Sequence, residues 1–473
     1  MITTAIIDLD ATMTAEAIKK GNITSTEVVQ SYIERIKSIN PSINALVENR
    51  FKEALLESNE VDKNLGEKNG PLVGVPISIK EAFHVKGMKT TGGLEHRQDL
   101  ISRQDSFIVK RLKKAGAIII GKTNTPTLCF SQETENKLYG RTNNPWDISK
   151  TAGGSSGGEG ALIAVGGSAV GIGSDIGGSI RIPAHFNGII GFKPGMNQVS
   201  DDGHFPSPQT SLQKRMFTSG PMGKSVRDMK LLYQILSGKT LSKRTLQQFK
   251  IEILPNYINY PLSKEIRNIL DSLEDYLEKF FFVKRSIPPF FDESARLWQD
   301  ILSSEGSNLL KKEAFSNDRS GVYYAFLREK LTQRTSIHPY LSWGIIGSKL
   351  FKPSATRLLR VKEKLNDGDK RLNEYLQNRL LIFPIYHRSA PKHGRVYQEI
   401  FSIRRTYLKF MPYVAYANVW GLPSLSIPIG TDYNNMPIGI QVMCSIGNED
   451  AIFQLGRILE KRFRGYVRCK TID

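Results

Sequence analysis

Apolar positions recur at helical spacing over residues 12–38, where Val28, Val29, Tyr32, Ile33 and Ile36 make one stripe. Thr14 opens a first helix and Ser25-Thr-Glu-Val a second. Residues 43–66 read as a further helix that stops near Gly66. The period then drops to two. Leu-Val-Gly-Val-Pro-Ile-Ser-Ile-Lys over 72–80 alternates, is rich in β-branched residues and predicts a strand ending on Lys80. A helix over 106–115 and a short buried strand over Ala117–Gly121 follow. Residues 240–380 are basic, helix-prone and poor in glycine, the pattern of helices covering one side of a core. Strand character returns over 414–443, broken by Gly-Leu-Pro at 421–423.

Residues 150–195 follow neither period. They are crowded with glycine, in GGSSGGEG, GIGSDIGGS and NGIIGFKPG. Glycine weakens helices and strands, so such density implies tight turns or close backbone approach. Here the glycines surround serines and one aspartate. Flanking segments look like one continuous α/β architecture, and a single domain spanning 1–473 is expected.

Composition narrows the picture modestly. With 473 residues and 40% hydrophobic content, the chain can build a core large enough to bury polar chemistry. The net charge of +19 suits an anionic membrane surface, a nucleic acid or an acidic ligand without choosing among them. Three cysteines (Cys129, Cys444 and Cys469) are too few for a disulfide framework and point to a reducing compartment. Met1–Asp10 carries acidic residues and no basic flank, so it does not read as a signal peptide. No run reaches the ~20 apolar residues of a membrane-spanning helix. A cytoplasmic protein is expected, peripheral at most on intracellular membranes.

Two short motifs suggest chemistry and fit their surroundings poorly. Gly116-Ala-Ile-Ile-Ile-Gly121-Lys122-Thr123 matches a phosphate-binding loop, but its middle residues read as strand, and Asn124-Thr-Pro resists the helix that must follow. Gly153-x-Ser155-x-Gly157 matches a nucleophile elbow, but a loop-like stretch precedes it, and the downstream His387 and His393 lie in a polar segment around Pro391.

A third match is longer. GGSSGGEGALIAVGGSAVGIGSDIGGSIRIPAHFNGIIGFKP over 153–194 resembles the signature region of the amidase-signature hydrolases. PISIKEAFHVKG resembles the segment that holds their catalytic lysine, and the separations of Lys80, Ser155 and Ser179 fit that family. Within the family the likeness is strongest to the fatty-acid amide hydrolases, through YIERIKSINPSINALV, GRTNNPWD, GEGALIA and the tail WGLPSLSIPIG…MPIGIQV. The amidase subunits of tRNA-dependent amidotransferases are similar too, but their signature continues after GGSSGG with small residues rather than Glu159-Gly160.

The resemblance implies an α/β amidase-signature fold: a large mixed β-sheet covered by α-helices on both faces, with a signature core over about 70–200 and a helical cover over about 240–380. It implies amide hydrolysis with Ser179 as nucleophile, Ser155 as bridging serine and Lys80 as base, through an acyl-enzyme and without metal or cofactor. Physical chemistry agrees with that division. A lysine at the end of a buried strand loses charge by desolvation. A serine between it and the nucleophile can accept one proton while donating another. Ile176-Gly177-Gly178-Ser179 supplies consecutive N–H groups for an oxyanion. Asp175 and Arg181 are expected to hold that turn, and Ser156 to support Ser155. Cys129 and Phe130 are expected at the substrate wall, or as ordinary core.

The implied substrate is a small amide, a lipid amide in particular. No nucleic-acid partner is expected, and a homodimer is only analogy. The fatty-acid amide hydrolases carry an N-terminal membrane-spanning segment, which nothing here resembles. Pro339–Lys352, which mixes Tyr, Trp, Ile, Leu and Phe with lysines, reads either as a peripheral membrane contact or as a buried helix. Two other functions compete. One is the amidase component of a tRNA-dependent amidotransferase, working on charged tRNA. The other is a non-catalytic lipid-binding relative, against which the intact Lys80, Ser155 and Ser179 argue.

Overall fold

One mixed sheet of eleven strands runs through the chain. In chain order they are β1 (Leu46–Asn49), β2 (Pro76–Lys80), β3 (Ile118–Thr123), β4 (Val170–Asp175), β5 (Ile190–Lys193), β6 (Thr218–Gly223), β7 (Lys250–Ile253), β8 (Val283–Arg285), β9 (Arg379–Pro384), β10 (Ser424–Thr431) and β11 (Pro437–Met443). Their spatial order is β1-β3-β2-β4-β6-β5-β10-β11-β9-β7-β8. β2 is parallel to β3 and β4, and β7 is parallel to β8 and β9; the strands between them pair antiparallel. The computed structural model describes residues 6–66, 70–305, 307–315, 321–332, 335–400 and 406–473. The first five residues of the Met1–Asp10 stretch lie outside it.

Helices cover both faces. Neighbouring residues of a strand point to opposite sides, and β5 shows what each side meets. The Phe192 ring packs on Tyr233 and Phe453, at 5.1 and 4.8 Å, from helices Val226–Ser237 and Glu449–Arg462. A Cβ on Gly191 would instead meet Ile180 and Ala184, around the start of the helix Arg181–Asn187.

Several local expectations need correction. The helix Ala11–Lys19 begins three residues ahead of Thr14, capped by Asp10, whereas the next begins at Ser25 as expected, behind Thr24, which forms a reciprocal capping box with Glu27. The helix expected over 43–66 begins only at Phe51. Ahead of it, Asn44 turns left-handed (φ 48°) and the Asn40 side chain accepts from the N–H groups of Ala45 and Leu46, which frees Leu46–Asn49 to pair with β3. The region 240–380 is mostly helical, but it also contributes β7, β8 and the first two residues of β9, segments too short to show a period. Met411–Val419 is a helix rather than strand; every one of its residues is buried, so no amphipathic stripe marks it. The phosphate-loop match is β3 itself, with Lys122 fully buried and donating to Lys89 O and to Thr90 Oγ1.

The strand that matters most for function is β4, Val-Gly-Ile-Gly-Ser-Asp. Gly171 and Gly173 face the helix Gly157–Ala164. A Cβ on Gly171 would lie 1.8 Å from Glu159 Oε2, and one on Gly173 would lie 2.7 Å from Ser156 Oγ. The missing side chains let that helix and its preceding turn sit directly on the strand. Gly171→Ala is therefore expected to push the Glu159 carboxylate off the sheet and to lower stability by about 1–3 kcal/mol, the usual cost of overpacking. Urea unfolding followed by tryptophan fluorescence reads this, and an unchanged midpoint would contradict it.

Candidate active site

β2 and β4 run parallel, pairing Ile77 with Val170, Ser78 with Gly171 and Ile79 with Ile172, so the two strands end side by side. Lys80 is the last residue of β2 and none of its surface is exposed. Its Nζ lies 2.7 Å from Ser155 Oγ and 3.0 Å from Ser174 Oγ near the end of β4. Burial lowers the Lys80 pKa below the ordinary lysine value; nearby Cys129, Asp175 and Glu159 act the other way without outweighing it.

Glu159 was not foreseen near the lysine. It projects from the helix after Ser155 and takes hydroxyl hydrogen bonds from Ser78 (2.5 Å) and Thr123 (2.9 Å). Burial raises its pKa to about 7, against those two bonds and the Lys80 charge.

Ser155 and Ser156 precede the helix Gly157–Ala164, and Ser179 precedes the helix Arg181–Asn187. The two turns are tied together by Ser156 N–H donating to Ser179 O at 3.2 Å. Ser155 O accepts from Thr125 Oγ1 at 3.0 Å, while Ser156 Oγ meets the backbone of Ser174 through both its N–H (3.3 Å) and its carbonyl (3.4 Å). Ser155, Ser174 and Ser179 line one cavity of about 130 Å³. Among the described residues no hydrogen bond joins the Ser155 and Ser179 hydroxyls.

Asp175 and Arg181 shape the Ser179 turn from beneath. Asp175 accepts from Gly178 N–H (2.8 Å) and Ile180 N–H (3.1 Å) and holds Arg181 through two contacts of 3.1 and 3.0 Å. Burial alone would raise the Asp175 pKa; the Arg181 charge and hydrogen bonds prevail and hold it below the usual carboxylate range. Arg181 extends to Val414 O, Gln441 Oε1 and Asn418 Oδ1, so all of its charge is matched inside the protein.

Gly178, read as one of four oxyanion donors, has its N–H occupied by Asp175. The N–H groups of Ile176, Gly177 and Ser179 have no acceptor among the described residues. Their turn is fixed from outside, because Ile176 O accepts from Trp298 Nε1 (2.8 Å) and Gly177 O from Gln132 Nε2 (2.6 Å).

Cys129 and Phe130 line the same cavity, and Cys129 Sγ is 3.3 Å from Thr125 Oγ1. Phe130 also packs against the cluster of Ile345, Ile346 and Leu341 from the helix Pro339–Leu350. That helix buries Tyr340, Leu341, Ile345 and Ile346, and its exposed apolar residues are at its end, Leu350 and Phe351. Half of the Pro339–Lys352 stretch is therefore interior, and its last three residues are exposed. His387 bonds Glu399, His393 bonds Ile148 O, and neither lines the cavity. The histidine that does is His204, which the sequence did not single out.

The family model for amidases matches residues 27–453. The chain belongs to the amidase family. Fatty-acid amide hydrolase 2-B of Danio rerio is 34% identical to it over 98% of this chain and 91% of the relative. Human fatty-acid amide hydrolase 2 is 31% identical over 98% of this chain and 91% of its own length. A component of the glutamyl-tRNA(Gln) amidotransferase of Sulfolobus acidocaldarius is 30% identical over 95% of this chain and 98% of the relative. Among solved structures, a crystal structure of an amidase superposes with a TM-score of 0.80 at 25% identity, covering 96% of this chain and all of the other. A fatty acid amide hydrolase structure shares the fold with a TM-score of 0.82 at 22% identity, covering 97% of this chain and 86% of the other. The amidase relationship supports amide-bond hydrolysis.

Breaking a buried ion pair on one side leaves a charge without its partner, at a cost of about 3–5 kcal/mol. Arg181→Ala is expected to lose that much stability, whereas Lys150→Ala, whose contact with Asp147 is a 4.0 Å pair in a partly exposed hairpin, should change little. Denaturant unfolding of both variants gives the comparison; equal shifts would contradict it.

Proposed function

We propose that this amidase cleaves carboxylic amides through Lys80, Ser155 and Ser179, and that fatty-acid amides are its substrate class. The carrying observation is the Lys80 amine, wholly buried and 2.7 Å from the Oγ of Ser155, a serine that lines one cavity together with Ser179. In this reading the neutral amine accepts the Ser155 proton as Ser155 accepts that of Ser179, and Ser179 Oγ attacks the carbonyl carbon. The N–H groups of Ile176, Gly177 and Ser179 receive the developing oxyanion. The protons return through Ser155 to the leaving nitrogen, the C–N bond breaks, and water later hydrolyses the ester on Ser179. Asp175 and Arg181 hold the oxyanion turn, and Ser156 ties the Ser155 and Ser179 turns together.

Support for an apolar acyl group comes from the cavity wall, which includes Leu128, Phe130, Ile176, Phe217, Leu302 and Leu310, and from the two fatty-acid amide hydrolase relatives. Cys129 and Phe130 belong to the substrate wall in this reading. The amidotransferase alternative draws on the Sulfolobus relative. Hydrolysis of a long-chain primary amide by the isolated chain, exceeding glutamine hydrolysis, would favour the lipid reading; the reverse ranking would reject it.

A peripheral membrane contact belongs to the same proposal. Among the described residues no helix is long and apolar enough to cross a membrane. The helix Gly321–Thr332 exposes Tyr323, Tyr324, Leu327 and Leu331, beside Leu350 and Phe351 of the helix packed on it and with Lys330 and Lys349 among them. Such a mixture suits an anionic lipid surface. Flotation with anionic liposomes at low salt is expected to carry the protein upward, and Leu331→Glu to reduce it; no flotation of the parent would remove the idea.

A fluorophosphonate probe tests the residue roles. The parent should label, Ser179→Ala should not, and Lys80→Ala should label about 10²–10⁴-fold more slowly, the range for loss of a general base. Because only the uncharged amine accepts a proton, activity should fall as pH drops through the Lys80 pKa, which lies below the ordinary lysine value. That acid limb should vanish in Lys80→Ala. Equal labelling of Ser179→Ala and parent would move the nucleophile elsewhere.

A further inference from the structure

The Lys80 amine has two hydroxyl neighbours, and only one of them belongs to the proposed relay. Ser155 Oγ is 2.7 Å away and Ser174 Oγ 3.0 Å away. A neutral amine carries two N–H bonds and one lone pair. If Ser174 turned its proton toward that lone pair, the base would be occupied by the wrong serine. Something must set the direction of the Ser174 hydroxyl.

His204 is in contact with it. Its Nε2 lies 3.0 Å from Ser174 Oγ and its Nδ1 lies 3.0 Å from Pro206 O. A carbonyl oxygen can only accept, so Nδ1 carries the hydrogen. Burial first, then the Lys80 charge, push the His204 pKa down to about 3, so the imidazole is neutral and Nε2 is a bare acceptor. Ser174 must therefore donate to His204 and can only accept from Lys80.

The ring has little freedom to do otherwise. It sits edge-on to Phe83 and Phe217, at 4.8 and 4.7 Å. Its backbone is stitched to the residues just after Lys80: His84 N–H donates to Gly203 O at 2.8 Å and Phe205 N–H to Ala82 O at 2.7 Å. The same stretch of chain thus positions the lysine and the imidazole that orients its neighbour.

We propose that His204 is a positioning residue that, as the Nδ1–H tautomer, draws the Ser174 proton away from Lys80 and reserves the amine lone pair for Ser155. The hydrogen-bond direction runs Lys80 N–H to Ser174, Ser174 O–H to His204 Nε2, and His204 Nδ1–H to Pro206 O. This rests on the catalytic roles proposed above, but its first test does not need turnover.

Protein labelled with ¹⁵N only in histidine distinguishes a protonated from a bare ring nitrogen by chemical shift. The chain has 7 histidines, and the His204 signals are those lost in His204→Gln. They should report a protonated Nδ1 and a bare Nε2; a protonated Nε2 overturns the proposal. Kinetics provide the second test, read as fluorophosphonate labelling rate. His204→Ala should slow labelling by roughly five- to tenfold, the factor that one net hydrogen-bond preference gives. His204→Gln should recover most of the rate, because its Oε1 can accept the same hydroxyl. In a Ser174→Ala background, where no competing hydroxyl remains, His204→Ala should add less than twofold. A full-size loss in that background, or no rescue by glutamine in a folded variant, would mean that His204 acts through packing alone and would also overturn the proposal. A misassigned nucleophile would appear instead as labelling of Ser179→Ala, with the tautomer unaffected.

Discussion

Removing an ammonium group from water is so unfavourable that a lysine without exposed surface gives up its proton more readily than one in solvent. The arrangement around Lys80 follows from that constraint. Its immediate partners are hydroxyls, which accept hydrogen bonds without bringing a full negative charge beside the amine. Two acids do lie near, Glu159 and Asp175, and each has prior commitments. Glu159 takes two hydroxyl donors at a pKa of about 7, and Asp175 is paired with Arg181. The lysine is left in a polar, water-poor setting that favours its uncharged form.

The same economy of charge governs the Ser179 turn. Asp175 takes the N–H groups of Gly178 and Ile180, which bends the backbone around one carboxylate. The N–H groups of Ile176, Gly177 and Ser179 have no acceptor among the described residues. Arg181 neutralises Asp175 and is itself satisfied by groups from the last quarter of the chain. Trp298 and Gln132 anchor the outer carbonyls. A turn of glycines, flexible by composition, is thereby held in one shape by contacts from four separate segments.

How much of this was legible in the sequence depended on the range of the interaction. The strand ending at Lys80 and the helix after Ser25 were readable because their periods are local and several residues long. β8, a three-residue edge strand, and its four-residue neighbour β7 were not, because so short a segment has no period to detect. Met411–Val419 misled for the opposite reason: buried on every side, it has no polar face to betray a helix. In the site, Lys80, Ser155 and Ser179 were marked by motif. Glu159 was visible as a residue yet not as a neighbour of Lys80, since its place depends on two glycines of β4 leaving room. His204 stood in a polar loop with nothing local to distinguish it. It becomes significant only when the backbone bridge between Phe83 and His204 brings it to the end of β2.

The reach of Arg181 has a consequence for how the protein comes into being. Its partners Val414, Asn418 and Gln441 are translated more than two hundred positions after it, so during synthesis the glycine turn emerges long before the groups that complete its anchoring. Contacts of such long sequence separation form late and slowly. A nascent polypeptide can carry every signature residue and still lack the finished turn. The finished Ser179 turn is thus acquired late in folding, when the helix Met411–Val419 and β11 close over the arginine.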